Sequence, residues 1–487
     1  MAQMSDDKND GEVYTHTADL PPLTTTTERK LMAKVDWHIV PCLCVMYLLA
    51  FLDRVNISNA AILGLQEDLN IENTKYNTAL TIFFVPYVLF EIPSNILLKK
   101  LKPHVWLSLC MFLFGLATIC QGLVNNWGGL MTTRWFLGMF ETGMFPGCFY
   151  LLGMWYKRSE AQKRFSFFFS STTLAGAFGG LLASGLGEMK GIRGYNGWRW
   201  VFIIEGLLTC VVAIVWFFVL PDFPEDVKWL NEEERDYIRA KLAKDVGSSG
   251  KDVKLTFRDM LDVFKDYKIF IGGLMYFGQI VTAYGYAYFA PTIIKTYGYS
   301  PIMTQLYSVP PWAAAFGFSM LIATLSDQFK HRFAFAMIPM IISMAGYGIL
   351  LNVHGATHRH VQYGALFMVT AGCYSSMAVV VCWYAMNLSG HRRRGVGTAW
   401  QIGFGNIGGF ISTYTFLPKD APLYRNGYII SLSFLCLSAA CCIAYLLAVW
   451  NDNRKRDRAA ANGAVVNLTE EEREFLGDLA PNYRYTY

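Results

Sequence analysis

Four ionisable residues lie inside long apolar segments of this sequence. Asp53 and Arg54 are adjacent in FLDRVNISNA, and Arg134 and Glu141 lie in TTRWFLGMFETG. The second pair is separated by seven residues, which is about two helical turns or about 10 Å along one face. Because a charge at the centre of a bilayer costs at least about 3 kcal/mol, we expect the four groups to face one another or a wet cavity.

These residue types indicate a site that binds an anion and exchanges a proton. Arginine keeps its charge and offers a planar fork of donors that matches a carboxylate. Burial and a nearby arginine act in opposite directions on the proton affinity of a carboxyl group, so such a group can load and release a proton. We therefore expect Arg54 to anchor the substrate and Glu141 to be the main proton carrier. Asp53 is expected to be a second carrier or the partner of Arg54. Arg134 is expected to complete the substrate site and adjust Glu141. Simple pairing of the four groups remains the structural alternative.

The composition indicates the elements that must hold these residues. Hydrophobic residues make up 53% of the 487 residues and charged residues only 16%, which is unusual for a soluble protein. A helix crosses a hydrocarbon core of about 30 Å with about 20 apolar residues. We expect an all-α membrane protein, because a helix satisfies its own backbone hydrogen bonds in lipid. Twelve apolar stretches predict transmembrane helices at 37–59, 76–98, 104–124, 127–155, 165–188, 199–220, 268–292, 303–326, 332–353, 361–388, 396–416 and 426–450.

The loops predict the orientation and the domain boundaries. Lys and Arg are concentrated in alternate short loops, and the positive-inside rule then places both termini in the cytoplasm. The net charge of +5 therefore indicates topology, and no nucleic-acid partner is expected. No cleaved signal peptide is evident at the N-terminus. The predicted divisions are a disordered tail at 1–36, a six-helix half at 37–220, a cytoplasmic loop at 221–267, a second six-helix half at 268–450 and a tail at 451–487.

Two capping boxes predict short cytoplasmic helices outside the spans. Asn231 and Glu234 begin one in the central loop, and Thr469 and Glu472 begin another in the C-terminal tail. The stretch DVGSSGKD after the first of them is expected to be a flexible linker.

An internal repeat relates the two halves. AFGGLLAS at 177–184 aligns with NIGGFIST at 406–413, which matches Gly179 and Gly180 with Gly408 and Gly409. Small residues let membrane helices approach closely, so we expect these glycines to pack and hinge.

A loop motif predicts a gate. ATLSDQFKHRF places Asp327 close before Arg332 and resembles the acidic and basic loop signature of the major facilitator superfamily. The corresponding first-half stretch, NILLKKLKPHVW, lacks the aspartate. Either the second half alone carries the latch, or Glu91 at the end of the second span supplies the missing acid.

The second half is expected to complete the pocket with uncharged groups. Tyr276 and Gln279 lie on one face of the seventh span, and Asn406 lies in the eleventh. Further candidates are Tyr286, Trp383, Asn387 and Gln401. A pocket is mostly apolar with few placed polar groups, so packing is the alternative role for each.

Longer stretches resemble one family. YLLAFLDRVNISNA, FEIPSNILLKKLKP, RWFLGMFETGMFPG, WYKRSEAQKR, LAGAFGGLLASG, GWRWVFIIEG and LPDFPED are similar to the fungal allantoate permease family, in the anion:cation symporter branch of the major facilitator superfamily. The resemblance runs from about Asp36 to Trp450. It implies that Asp53, Arg54, Glu141 and Arg134 carry proton and substrate. It also implies proton symport of a small carboxylate, such as nicotinate or allantoate, into a fungal cell across the plasma membrane.

Other functions leave different signatures. A proton-driven exporter of drugs or secondary metabolites is the nearest alternative, but such families usually carry a proline in the fifth-span glycine motif, and AGAFGG has none. A non-transporting nutrient receptor is a second alternative. No nucleophile, metal or cofactor constellation indicates an enzyme, and the proton gradient is the expected energy source. One chain contains both halves, so a monomer is expected to suffice.

Overall fold

The computed structural model describes residues 21, 23–246, 261–462, 472 and 476–487. This part of the chain is helical and contains no β-strand. Its α-helices are α1 (Glu28–Ile62), α2 (Leu65–Asp68), α3 (Asn73–Thr81), α4 (Phe84–Lys100), α5 (Pro103–Gly122), α6 (Trp127–Glu141), α7 (Met144–Trp155), α8 (Arg158–Gly187), α9 (Gly197–Val219), α10 (Glu232–Val246), α11 (Tyr267–Lys295), α12 (Pro301–Phe329), α13 (Arg332–Asn352), α14 (Arg359–Asn387), α15 (His391–Ser412) and α16 (Arg425–Ala461).

Within the described residues, nine helical segments are long and apolar enough to cross a membrane. Each coincides with one of the predicted stretches. The three remaining stretches, at 127–155, 268–292 and 396–416, are also helical, as α6 with α7, as α11 and as α15. The count of twelve spans and the cytoplasmic location of the termini remain predictions.

Two of the predicted spans are broken, and the breaks position the site. The second span is interrupted at Ile82 and Phe83, and the fourth at Thr142 and Gly143. Each break lies just ahead of a proline, Pro86 or Pro146, that has no N–H to donate to the carbonyl four residues earlier. The broken helices pack together, and the Thr142 hydroxyl donates to the Tyr87 carbonyl at 2.7 Å.

Two helices extend beyond the predicted spans. Helix α1 begins at Glu28, inside the predicted tail, because Leu31, Met32 and Val35 pack into the core. Helix α16 continues past Trp450 to Ala461. One of the two bonds of the first capping box is present, since the backbone N–H of Asn231 donates to Glu234 Oε2 at 3.1 Å. Residues 1–20, residues 247–252 of the linker and Thr469 of the second box lie outside the described residues.

The repeated glycines lie at close contacts between helices. We use N-half for α1–α9 and C-half for α11–α16. A β-carbon added at Gly179 would lie 3.3 Å from the Asn59 side chain on α1, and one at Gly408 would lie 2.9 Å from a carbonyl on α11. These two glycines pack within their own halves.

The second glycine of each pair faces the other half. A β-carbon at Gly180 would lie 2.5 Å from Ser308 on α12, and one at Gly409 would lie 2.3 Å from the Phe84 ring on α4. The two repeats are therefore used equivalently in packing. Whether the glycines also act as hinges stays a prediction.

Candidate functional site

Arg54 is at the centre of the structure and contacts both halves. Its Nε donates to Glu141 Oε1 at 2.9 Å, and its Nη2 donates to the same oxygen. Its Nη1 donates to the hydroxyl of Tyr284 on α11 in the C-half. Both charged side chains are buried, with 3% of Arg54 and 1% of Glu141 exposed. The site thus joins an arginine and a carboxylate of one half to a phenol of the other.

Aromatic rings surround the Arg54 guanidinium. Its Cζ lies 5.0 Å from the Phe83 ring centroid, 5.1 Å from that of Tyr87 and 5.4 Å from that of Tyr284. Such rings attract a cation through their negative faces, and more strongly when water is excluded. Phe83 lies at the break of the second span, so the interrupted helix places a ring against the arginine.

Arg134 lies beside this cluster and contacts backbone. Its Nη1 donates to the Arg54 carbonyl at 3.0 Å, and its Nε donates to the Ala79 carbonyl at 3.4 Å. The Ala79 carbonyl is in the last turn of α3, where helical acceptors lack partners. Arg134 therefore stabilises the broken helix and the site backbone. The hydrogen-bonded partner of Glu141 is Arg54.

Asp53 faces away from Arg54, into the N-half. It accepts a hydrogen bond from the Thr209 hydroxyl on α9 at 3.0 Å. Asn56 on α1 donates to Glu205, one turn before Thr209 on α9. These two hydrogen bonds place the buried carboxyl groups of Asp53 and Glu205 between α1 and α9. The described residues place no arginine in an ion pair with Asp53, so of its two expected roles, partner of Arg54 is wrong and second carrier stays a prediction.

The three uncharged candidates of the C-half are buried but differ in what they contact. Tyr276 packs against Gly405 on α15. The Oε1 of Gln279 accepts from Ser376 at 3.1 Å, and the Nε2 of Gln279 has no hydrogen-bond partner among the described residues. Asn406 donates to a carbonyl of its own helix. Their role in substrate binding remains a prediction.

The predicted gating residues lie in different parts of the structure. Asp327 and Arg332 form an ion pair of 2.7 Å. Glu91 is in the middle of α4, and a β-carbon on Gly403 of α15 would lie 3.2 Å from its Oε2. Glu91 thus faces the C-half inside the bundle and does not lie at the loop after the second span, which corrects its predicted position.

Comparison with known proteins gives the family. A family model described as Major Facilitator Superfamily matches residues 43–413. The chain belongs to the major facilitator superfamily. It is a multi-pass membrane transporter of this superfamily.

Several transporters are similar to this major facilitator over nearly their whole length. The MFS transporter prlL of Fungal sp. (strain NRRL 50135) is 34% identical over 457 residues, 92% of this chain and 92% of that protein. The major facilitator-type transporter hxnP of Emericella nidulans is 30% identical over 469 residues, 95% of this chain and 94% of that protein. Among solved structures, the proton:xylose symporter XylE shares the fold at 15% identity, with a TM-score of 0.68 over 84% of this chain and 95% of that chain.

Two residues at the centre of this major facilitator were missed in the sequence. Tyr284 lies eight residues after Tyr276 and four before Tyr288, and the i,i+4 spacing places Tyr284 and Tyr288 on one helical face. Glu205 lies in GWRWVFIIEG, and its position within a strongly apolar stretch was the available signal. With Arg54 and Glu141, they bring an arginine, a phenol and two buried carboxyl groups into the interior of the helical bundle.

Proposed function

We propose that this protein is a proton-coupled symporter that imports a small organic anion, most simply a carboxylate, by alternating access at the plasma membrane. The observation that carries the proposal is the buried contact of Arg54 with Glu141 and with Tyr284 of the opposite half. Arg54 is the proposed anion anchor, and Glu141 is the proposed proton acceptor. The hydrogen bond from Arg54 to Tyr284 links the two halves.

Competition for Arg54 couples the proton to the substrate. When Glu141 is ionised, its Oε1 occupies the Nε and Nη2 donors, which are one edge of the fork that a carboxylate would bind. When Glu141 is protonated, it loses the charge that holds the guanidinium. A substrate carboxylate then takes the place of Glu141, so the proton and the anion load together.

The link to Tyr284 connects loading to the movement of the halves. The Tyr284 hydroxyl accepts a hydrogen bond from Arg54 across the interface between the halves. A bound carboxylate supplies the acceptor in its place, and the interface no longer depends on this contact. On the inner side, release of the anion and deprotonation of Glu141 restore the pair. The Asp327–Arg332 pair is the proposed latch of this movement.

Asp53 is the proposed second proton carrier, beside Glu205. One proton with one monoanion is electroneutral, and a second proton makes the step carry one positive charge inward. The membrane potential favours such a step by about 2.3 kcal/mol per 100 mV. We expect uptake to depend on both the pH gradient and the potential.

The rings around Arg54 favour a flat acid. Phe83, Tyr87 and Tyr284 flank the guanidinium on several sides, so a planar carboxylate could stack while it binds. Nicotinate is therefore the first acid to test, with the non-aromatic allantoate beside it. Tyr276, Gln279 and Asn406 are the proposed C-half contacts.

The test is uptake of radiolabelled carboxylates into yeast that lacks its own permeases, at several external pH values. The native chain is compared with Arg54→Ala, Glu141→Gln and the control Glu188→Gln, which changes an exposed carboxylate. We expect one acid to accumulate more at low external pH, and accumulation to be lost in both site variants but kept in the control. Native-like accumulation in both site variants would contradict the proposal. Acid-driven loss of preloaded substrate would favour export.

A further inference from the structure

The last residues of the chain bind to one end of the C-half. We use tail for residues 476–487. The indole Nε1 of Trp383 and the amide of Asn387, both on α14, donate to the Thr486 carbonyl at 2.9 and 3.0 Å. The Asn387 Oδ1 accepts from the backbone N–H and the hydroxyl of Thr486 at 2.8 and 2.9 Å. Trp383 and Asn387, which were predicted as further pocket candidates, thus bind the tail.

Flanking residues of the tail are held in the same way. Asn453 on α16 pairs with the backbone of Tyr485 in both directions, at 2.9 Å each. The backbone N–H of Arg332, at the start of α13, donates to the backbone oxygen of Tyr487 at 2.6 Å. Backbone groups of three consecutive tail residues are therefore recognised by helix residues, as in peptide binding.

Charged groups fix the start of the tail. Arg393 on α15 contacts Asp478 with two nitrogens, at 2.7 and 3.0 Å, and both side chains are almost fully buried. Lys268 on α11 donates to the Tyr485 hydroxyl at 2.8 Å, and that hydroxyl donates to Asp478 at 3.0 Å. Burial and the neighbouring Asp478 carboxylate raise the pKa of Tyr485, so the phenol keeps the proton that it donates.

The tail contacts belong to one half. The helices held are α11, α13, α14, α15 and α16, whose contacting ends all lie on the face predicted to be cytoplasmic. Helix α10 makes equivalent contacts with the N-half: Glu234 pairs with Lys34 at 2.7 Å, and Lys241 pairs with Glu28 at 2.8 Å. Each half thus has its own polar segment across the same end of its helices.

We propose that this end of the C-half is an intramolecular peptide-docking surface whose occupant is the chain's own tail. The docked tail holds the ends of five helices together as a cap. Because its contacts lie within one half, a relative movement of the halves does not require them to break. This inference does not depend on the identity of the substrate.

The first test is thermal unfolding of the purified chain in detergent. Deletion of the whole tail, residues 476–487, is expected to lower the apparent melting temperature most. Asn387→Ala, which removes three hydrogen bonds, should lower it less, and Thr486→Ala, which removes one, less again. The control Arg484→Ala changes an exposed ion pair with Asp457 and should leave it unchanged. An unchanged value for Asn387→Ala in the full-length chain would overturn the proposal.

The second test supplies the tail in trans. A synthetic peptide of residues 476–487 is added to the shortened chain, and the control peptide carries Asp478→Asn. We expect the native peptide to raise the melting temperature toward that of the full chain and the control peptide to do so less. Equal effects of the two peptides would contradict a specific docking surface. If the shortened chain does not fold, Asp478→Asn in the full chain gives the same comparison.

Discussion

Gly180→Ala tests the close approach of the two halves. The added methyl would lie 2.5 Å from Ser308 Oγ and 2.9 Å from the Gln305 carbonyl oxygen. The serine can change its rotamer, but the carbonyl belongs to the backbone of α12, so α8 and α12 must move apart. Overpacking of this kind typically costs about 1–3 kcal/mol.

The control for this variant is in the same helix. A β-carbon at Gly185 has no atom within 4 Å, and replacement of glycine by alanine within a helix otherwise gains up to about 1 kcal/mol. We expect Gly180→Ala to lower the apparent melting temperature in detergent by a few degrees and Gly185→Ala to keep or raise it.

The same experiment can be repeated at the matching glycine of the internal repeat. Gly409→Ala meets the buried Phe84 ring of the opposite half, whereas Gly395 has open space around it. The same ordering of melting temperatures is expected for Gly409→Ala and Gly395→Ala. If Gly180→Ala and Gly409→Ala both melt like their controls, the close contact between the halves is not as described.

Three further predictions concern transport and are measured in the carboxylate uptake assay. Tyr284→Phe should lower KM and keep concentrative uptake, because the phenol no longer competes for Arg54; a raised KM would argue against displacement. Glu205→Gln should flatten the dependence of uptake on external pH while uptake persists, since one proton-accepting group is lost; an unchanged pH profile would remove Glu205 from the pathway. Asp327→Asn should slow uptake without lowering the melting temperature greatly, because its ion pair with Arg332 is partly exposed; native speed would exclude a latch.

The sequence was sufficient for the helical architecture but not for the partners within it. Apolar length predicted where the helices lie, and proline spacing explains why two of them break. Asp53 and Arg54 show the limit, since consecutive residues of a helix point in directions about 100° apart. Only one of them could therefore face Glu141. The rotation of α1 about its own axis, which packing with its neighbours decides, turns Arg54 towards Glu141.

The contacts that the sequence did not predict join residues far apart in the chain. Tyr284 comes to Arg54 from the other half, and the tail reaches Trp383 and Asn387 from about a hundred positions away. Neither contact could be predicted from the spacing of apolar residues within one helix or from a helix-capping motif. The glycine pairs were an exception, because an internal repeat carries information about packing in both copies.

The most direct test of the central claim is proton movement driven by the substrate. The purified protein is reconstituted in liposomes that contain a pH-sensitive dye, and the carboxylate identified by uptake is added outside without an imposed pH gradient. We expect the native chain to acidify the lumen and Glu141→Gln not to do so, while this variant still exchanges labelled for unlabelled substrate. Acidification by Glu141→Gln at the native rate, or none by a native chain that takes up the acid, would contradict this prediction.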